Sequence, residues 1–290
     1  MRRVLFTISV VALAAVFVMA GGGRACGKAL DTDKIVREIV AAHQARIQIP
    51  YPTKTYGPFG IERAYQIQAD LAKELSKELG PVAGYKVAYA SKAAQEQFGV
   101  TEPARGPLFS LQRVPSGSKL PAGHFMEIAL ETEVAFTIGK RIDHPIKDVA
   151  ELKGCVRWVH AAFDAGDYPL VQGDTKPTAS DMIACGASGH AFILGPAVEP
   201  MQVDVDTVSL KLIRNGQTIA ASPATNVMGS PWNSLLWCVN HVIRLGGTLE
   251  PGTVISTGTA APAYKVKADA IKGSYVGDCG PLGQVTLTLY

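Results

Sequence analysis

The apolar positions of this chain follow two different periods. Between Ile61 and Leu79, the residues Ala64, Tyr65, Leu71, Ala72, Leu75 and Leu79 form the stripe of an amphipathic helix, which Gly80-Pro81 ends. A shorter helix precedes it. Thr32 or Asp33 caps a run to about Ile47 with Ile35, Ile39 and Val40 on one face. Between the two, Tyr51–Phe59 is rich in Pro, Gly and Tyr and reads as a loop. Beyond Val82 the period shortens to two. Gly84–Ala90 sets Tyr85, Val87 and Tyr89 against Lys86 and Ala88. Ala129–Lys140 sets Leu130, Thr132, Val134 and Phe136 against Glu131, Glu133 and Ala135.

The later elements are short. Ser91 caps a helix to Phe98, and Glu102–Gly106 reads as a turn. Val149–Lys153 is a helical turn, Val156–Phe163 is an apolar stretch ending in Asp164, and Asp167–Ser188 is a long loop with a helical turn near Ser180. Ala191–Gly195 is a strand. Val203–Arg214 and Gln217–Ala221, joined by Asn215-Gly216, make a hairpin with a type I′ turn. Ser230-Pro231 opens a helix to Leu245, and strands follow at Thr253–Thr257 and Gly283–Tyr290. The order predicts an α+β chain: a helical section at 21–81, then a mixed, β-rich section at 82–290.

The first twenty residues belong to neither section. Two arginines, an apolar run from Val4 to Ala20 and three glycines form the pattern of a secretory signal peptide, with cleavage expected after Ala20. That reading predicts a periplasmic or secreted protein with no membrane partner after cleavage. Loss of Arg2 and Arg3 takes the formal charge from +3 to +1. So balanced a chain is not built for nucleic acid. Five cysteines remain, none in a C-x-x-C pair, which argues against a zinc site and for buried free thiols.

Glu131 and Glu133 are the candidate chemistry. On one strand face they stand about 7 Å apart. Buried without a counter-charge they would repel, and a hard divalent cation removes that conflict. The alternative is a solvated face with two acids. His160, on an apolar stretch, reads as a satisfied core residue, His124 as an exposed loop residue, and Trp232 and Trp237 as core or subunit contacts. No Gly-x-Ser-x-Gly elbow suggests a serine hydrolase.

In order and spacing, several short pieces resemble the fumarylacetoacetate hydrolase superfamily, in the branch of 2-keto-4-pentenoate hydratases and 2-oxo-3-hexenedioate decarboxylases. They are Gly84-Tyr85-Lys86, Gln95–Val100 before Gly106–Phe109, Glu131-Thr132-Glu133, Trp158–Asp164, Ser188 with Phe192–Gly195, Arg214–Gly216, Gly229–Pro231, Ile255–Gly258 and Leu282–Val285. The resemblance implies that superfamily's β-roll, common homo-oligomers, and Mg²⁺ or Mn²⁺ held by Glu131, Glu133 and Asp164, where relatives usually carry Glu for Asp164. It also implies Lys86 beside the substrate, Ser188 touching it, and Thr257-Gly258 at the pocket floor. The activity implied is a hydro-lyase adding water to a short unsaturated 2-keto or 2-hydroxydienoic acid through a metal-stabilised enolate. The rival readings are a 2-oxo-3-hexenedioate-type decarboxylase, an acylpyruvate C–C hydrolase, and an exported binding protein without turnover. The last is favoured by Thr101, Ala104 and Cys185-Gly186, where many relatives carry acids or Asp-Asn.

Overall fold

The computed structural model describes residues 30–171, 176–267 and 270–290. The expected leader lies outside them. The helices α1 (Thr32–Ala45), α2 (Pro52–Tyr56) and α3 (Ile61–Leu79) come first. Asp31 caps α1 by accepting from the Lys34 N–H at 2.9 Å. The short α2 replaces the expected loop because Pro52 suits a first helical turn, where its missing N–H costs nothing. The apolar stripe of α3 is buried at Ala64, Tyr65, Ile67 and Leu71, and Gln68 is buried with it. The Gln68 amide donates to the carbonyls of Arg105 and Ile183 at 2.9 and 2.8 Å, which fixes α3 to the elements that follow.

Those elements are β1 (Val82–Ala88), α4 (Lys92–Phe98), β2 (Ala104–Phe109), β3 (Arg113–Pro115), β4 (Ser118–Leu120), β5 (Glu127–Ile138), α5 (Val149–Lys153) and β6 (Val156–Asp167). After them come α6 (Ala179–Ala184), β7 (Ala191–Leu194), β8 (Ser209–Arg214), β9 (Gln217–Pro223), α7 (Pro231–Arg244), β10 (Val254–Ser256), β11 (Tyr264–Lys267), β12 (Gly273–Asp278) and β13 (Gln284–Leu289). One sheet runs β2-β1-β10-β5-β6-β7-β3 with β11 also on β5; the second runs β4-β13-β12-β8-β9. The mixed α+β architecture agrees with the reading of the sequence.

β5 and β6 are the spine, paired antiparallel along almost their whole length. Their inner face meets the second sheet through Ile128, Leu130, Phe163, Leu212, Tyr275, Val285 and Leu287. Further along, Val134, Phe136, Val159 and Ala161 pack against α7 through Trp232, Leu235, Val239 and Val242. The other edge of β5 is divided. β10 covers Ala135–Thr137 and β11 covers Glu127–Leu130. The chain between β10 and β11 leaves the sheet, so β5 is open at its two glutamates.

Three differences from the expected elements have local causes. The strand expected from Val203 begins at Ser209, because the Asp204 carboxylate accepts from the Asp206 N–H and closes a 3₁₀ turn. β12 lacks an apolar alternation because the sheets approach too closely there. A Cβ on Gly277 would lie 2.8 Å from Phe163. β2 begins inside the expected turn at Glu102–Gly106, drawn into register with β1. The hairpin turn is as expected, with Asn215 and Gly216 at φ 50° and 83°.

Candidate active site

Register brings the acids together. Glu131 of β5 lies directly opposite Asp164 of β6, so both side chains leave the sheet on the same face, and Glu133 follows two residues along. One oxygen from each of the three carboxylates lies within 4.8 Å of the others. Lys86 arrives from β1, paired through Ser256 of β10 to Ala135 of β5. Its ammonium forms an ion pair with Asp164 Oδ2, with both groups buried.

The oxygens of this cluster are unequally served. Glu133 is fully buried. Its Oε2 accepts from Ser256 Oγ at 2.5 Å and from the Gly258 N–H at 2.8 Å. Its Oε1 has no hydrogen-bond donor among the described residues, nor has Asp164 Oδ1. Formally three carboxylates face one ammonium, leaving the cluster two negative charges in excess. Burial, with Asp164 and Glu131 nearby, holds the Glu133 carboxyl well above the usual carboxylate range. Burial also pushes Glu131 up to about 7, against the pull of Lys86. Burial would lower Lys86, but Asp164, Glu131 and Glu133 outweigh it and hold the ammonium charged beyond its ordinary range. A divalent cation fits this site: unserved hard oxygens converge, and the excess charge equals that of the ion.

Glu131 and Lys86 line a cavity of about 840 Å³ whose wall includes Tyr89, Tyr168, Met182, Ser188 and the 259–263 arch. Ser188 lies on this cavity wall at the end of three successive residues in the left-handed region: Gly186, Ala187 and Ser188 have φ of 75°, 54° and 61°. Such strain in non-glycine residues persists only where the surroundings enforce it. The buried Ser188 hydroxyl has no partner among the described residues.

Thr257 and Gly258 serve the site from behind. Thr257 has no exposure, and its hydroxyl donates to the Val134 carbonyl at 2.8 Å, so the side chain expected on the pocket floor pins β10 to β5 instead. Gly258, at φ 92°, spends its N–H on Glu133. A Cβ there would lie 2.4 Å from that of Ala90, so glycine is required. Thr101 and Ala104 are not among the cavity-lining residues. Cys185 is buried, and burial raises its thiol pKa, which leaves it unreactive.

His160 is a satisfied core residue, 2.9 Å from Thr137 Oγ1 and 3.2 Å from the Gly195 carbonyl. His124 is half-buried against Phe125 and His190 rather than exposed. Cys155, Cys185, Cys238 and Cys279 are free thiols. Sequence reasoning included Ser256 within Ile255–Gly258 but gave it no role; it shares a strand face with Val254 and pairs with Lys86 across β10 and β1. Tyr89 and Tyr168, on the cavity wall, carried no sequence signal.

Residues 82–283 match the fumarylacetoacetate (FAA) hydrolase C-terminal family. The chain belongs to this family. Among curated relatives, a 2-keto-4-pentenoate hydratase of Burkholderia vietnamiensis is 28% identical over 78% of this chain and 84% of its own length. A 2-oxo-hept-4-ene-1,7-dioate hydratase of Escherichia coli is 26% identical over 86% of this chain and 95% of its own. Among solved structures, a 4-oxalocrotonate decarboxylase from Pseudomonas putida, complexed with magnesium and adipate, superposes with a TM-score of 0.82 at 21% identity, covering 89% of this chain and 97% of that one. That last likeness establishes the fold.

Proposed function

We propose that this protein is a divalent-metal-dependent hydro-lyase that adds water to a short unsaturated 2-keto acid. The observation that carries the reading is the convergence of Glu131, Glu133 and Asp164, with oxygens lacking donors, beside a charged Lys86 at a cavity of substrate size. The three carboxylates would hold Mg²⁺ or Mn²⁺, which when bound supplies Lewis-acid polarisation of the adjacent carbonyl of a 2-keto acid. The residues of the chain supply the rest. Lys86, kept protonated by its acidic neighbours, is an anchor for developing negative charge on the substrate oxygen rather than a proton acceptor. The Ser188 hydroxyl, unspent within the protein, hydrogen-bonds the substrate. Ser256 and Gly258 hold Glu133 so that one oxygen stays available. The apolar wall of Ala88, Ala90, Ala129 and Met182 excludes bulk water from the carbon chain.

Hydratase is preferred to decarboxylase or hydrolase because several of the curated relatives carry that name. Incubation of Mg²⁺-loaded protein with 2-hydroxypenta-2,4-dienoate, 2-oxo-3-hexenedioate and an acylpyruvate, each followed by absorbance, separates the three. Loss of the dienoate signal with formation of a hydroxylated 2-keto acid is expected. Tight binding without turnover of any would instead make this a binding protein. Export completes the proposal: the mature chain begins near Gly21 and works in the periplasm or outside the cell, as a homo-oligomer. N-terminal sequencing and sizing of protein from its native host test both points. No helix among the described residues is long and apolar enough to cross a membrane.

A further inference from the structure

A second cavity meets the first at Ser188. It lies among α1, α3, β2 and the turn at 186–190 and has a volume of about 60 Å³. That is room for one or two waters at ~30 Å³ each, and too little for an organic ligand. Ser188 lines both cavities, while Gly186 lines the small one and Ala187 the large one. The left-handed turn is thus the partition between them. Two close approaches hold it in place. A Cβ on Gly106 of β2 would lie 2.1 Å from the Gly186 carbonyl oxygen, and one on Gly166 of β6 would lie 2.9 Å from that of Ser188.

Much of the small cavity's wall is apolar, through Ile39, Leu71, Leu75 and Phe109. Two of its buried polar atoms have no partner among the described residues: Ser188 Oγ and His190 Nε2. Gln112 and Asp167 line it too, but they are engaged elsewhere. Gln112 Oε1 accepts from the Phe109 N–H at 3.0 Å, and Asp167 Oδ1 accepts from the Met126 and Glu127 N–H groups, each at 2.9 Å. The His190 ring is held against His124 and Phe125, with centroids 4.9 and 5.1 Å away. Burial, with His124, His43 and Arg46 nearby, lowers its pKa to about 3, so the ring is neutral. The His124 carbonyl accepts a hydrogen bond from it. Since Nε2 is unpartnered, the donor is Nδ1–H, which leaves Nε2 a bare acceptor.

That tautomer fixes the polarity of everything between the ring and the large cavity. A water has two hydrogens to give. With one on His190 Nε2, the other is free for Ser188 Oγ, and the serine's own hydrogen then turns to the large cavity. The carboxylate and carbonyl of a 2-keto acid are acceptors, so this is the orientation they need. A hydroxyl that accepts one hydrogen bond is also the stronger donor of the next. Resting on the 2-keto acid reading above, we propose that a buried water in the small cavity bridges His190 Nε2 and Ser188 Oγ, and that His190 is the positioning residue that sets Ser188 as a donor to the substrate.

The test has two arms. A high-resolution crystal structure of the parent should show one water about 2.7–3.2 Å from both atoms. A parent with no water touching both overturns the proposal, whatever the ligand. In the second arm, Mg²⁺-loaded protein is titrated calorimetrically with 2-oxopentanoate, which has no double bond to hydrate. His190→Phe keeps the ring packing and removes the acceptor, and should weaken binding about three- to tenfold, the size of one neutral hydrogen bond. His190→Gln returns an acceptor oxygen to the Nε2 position and should recover most of that loss. In a Ser188→Ala background, His190→Phe should change nothing further. An equal loss in both backgrounds is the mark of a structural role and overturns the proposal. If the parent shows the bridging water but binds no 2-oxopentanoate, the 2-keto acid reading is what fails, and the role given to His190 falls with it.

Discussion

Asp181 and Glu133 are both carboxylates with no exposure, yet their oxygens meet opposite surroundings. Asp181, in the first turn of α6, accepts from Thr53 N–H at 2.8 Å and Thr53 Oγ1 at 3.0 Å. It also accepts from Thr178 N–H at 2.9 Å and Thr178 Oγ1 at 2.6 Å, closing a capping box. Four donors serve two oxygens, and every one comes from the polypeptide. Glu133 receives two donors on one oxygen and none on the other, beside two further acids. Burial alone therefore does not mark a functional carboxylate. The Asp181 site is complete and holds α2 against α6. The Glu133 site is complete only with something added, and the chemistry of its donors describes a hard cation.

Breaking the complete site should have the larger effect on the metal-free fold. Asp181→Ala takes the acceptor from the Thr53 and Thr178 donors around a buried carboxylate and should cost about 1–3 kcal/mol in denaturant unfolding. The thermal shift produced by Mg²⁺ should survive in whatever fraction folds. Glu133→Gln should do the reverse. It removes one of several mutually repelling charges, so the metal-free variant should be as stable as the parent within about 1 kcal/mol, while kcat/KM with metal falls by about 10²–10³.

pH sharpens the same contrast. The Glu131 carboxyl, held at about 7 in the folded chain by burial, lies above its ordinary value of 4.5. Its contribution to stability is therefore fully present below about pH 4.5 and is lost as pH rises through about 7. At 1.36 kcal/mol per pKa unit, a rise from 4.5 to about 7 makes the loss in the metal-free protein on the order of 3 kcal/mol. Measuring it as the difference between parent and Glu131→Gln cancels His190 and His241, whose pKa values burial lowers to about 3 and about 4. The gain from Mg²⁺ should grow over the same window, as protons cease to compete for the ligands. Ser256→Ala is a smaller step. It removes one of the two donors on Glu133 Oε2 and should weaken the Mg²⁺ dependence about tenfold in concentration, with the fold kept.

Much of this was legible in the sequence. The period-two run at Ala129–Lys140 put Glu131 and Glu133 on the face opposite Leu130, Val134 and Phe136, which is how β5 lies. Pairing of that run with the stretch ending in Asp164 is a non-local event. Only the resemblance to a family supplied it, and the β5–β6 register shows its cause. What stayed hidden had no periodic signature. β11 is four residues long, β12 has Gly277 where a core side chain would otherwise stand, and Asp181 lies in a segment rich in small residues.

The central claim is that Glu131, Glu133 and Asp164 bind a divalent cation, and thermal unfolding with and without Mg²⁺ or Mn²⁺ tests it most directly. The parent and Glu127→Gln, four positions before Glu131 and outside the cluster, should both gain several degrees with metal, and Glu133→Gln should gain nothing. Equal metal-induced shifts in all three proteins would contradict the assignment of the site.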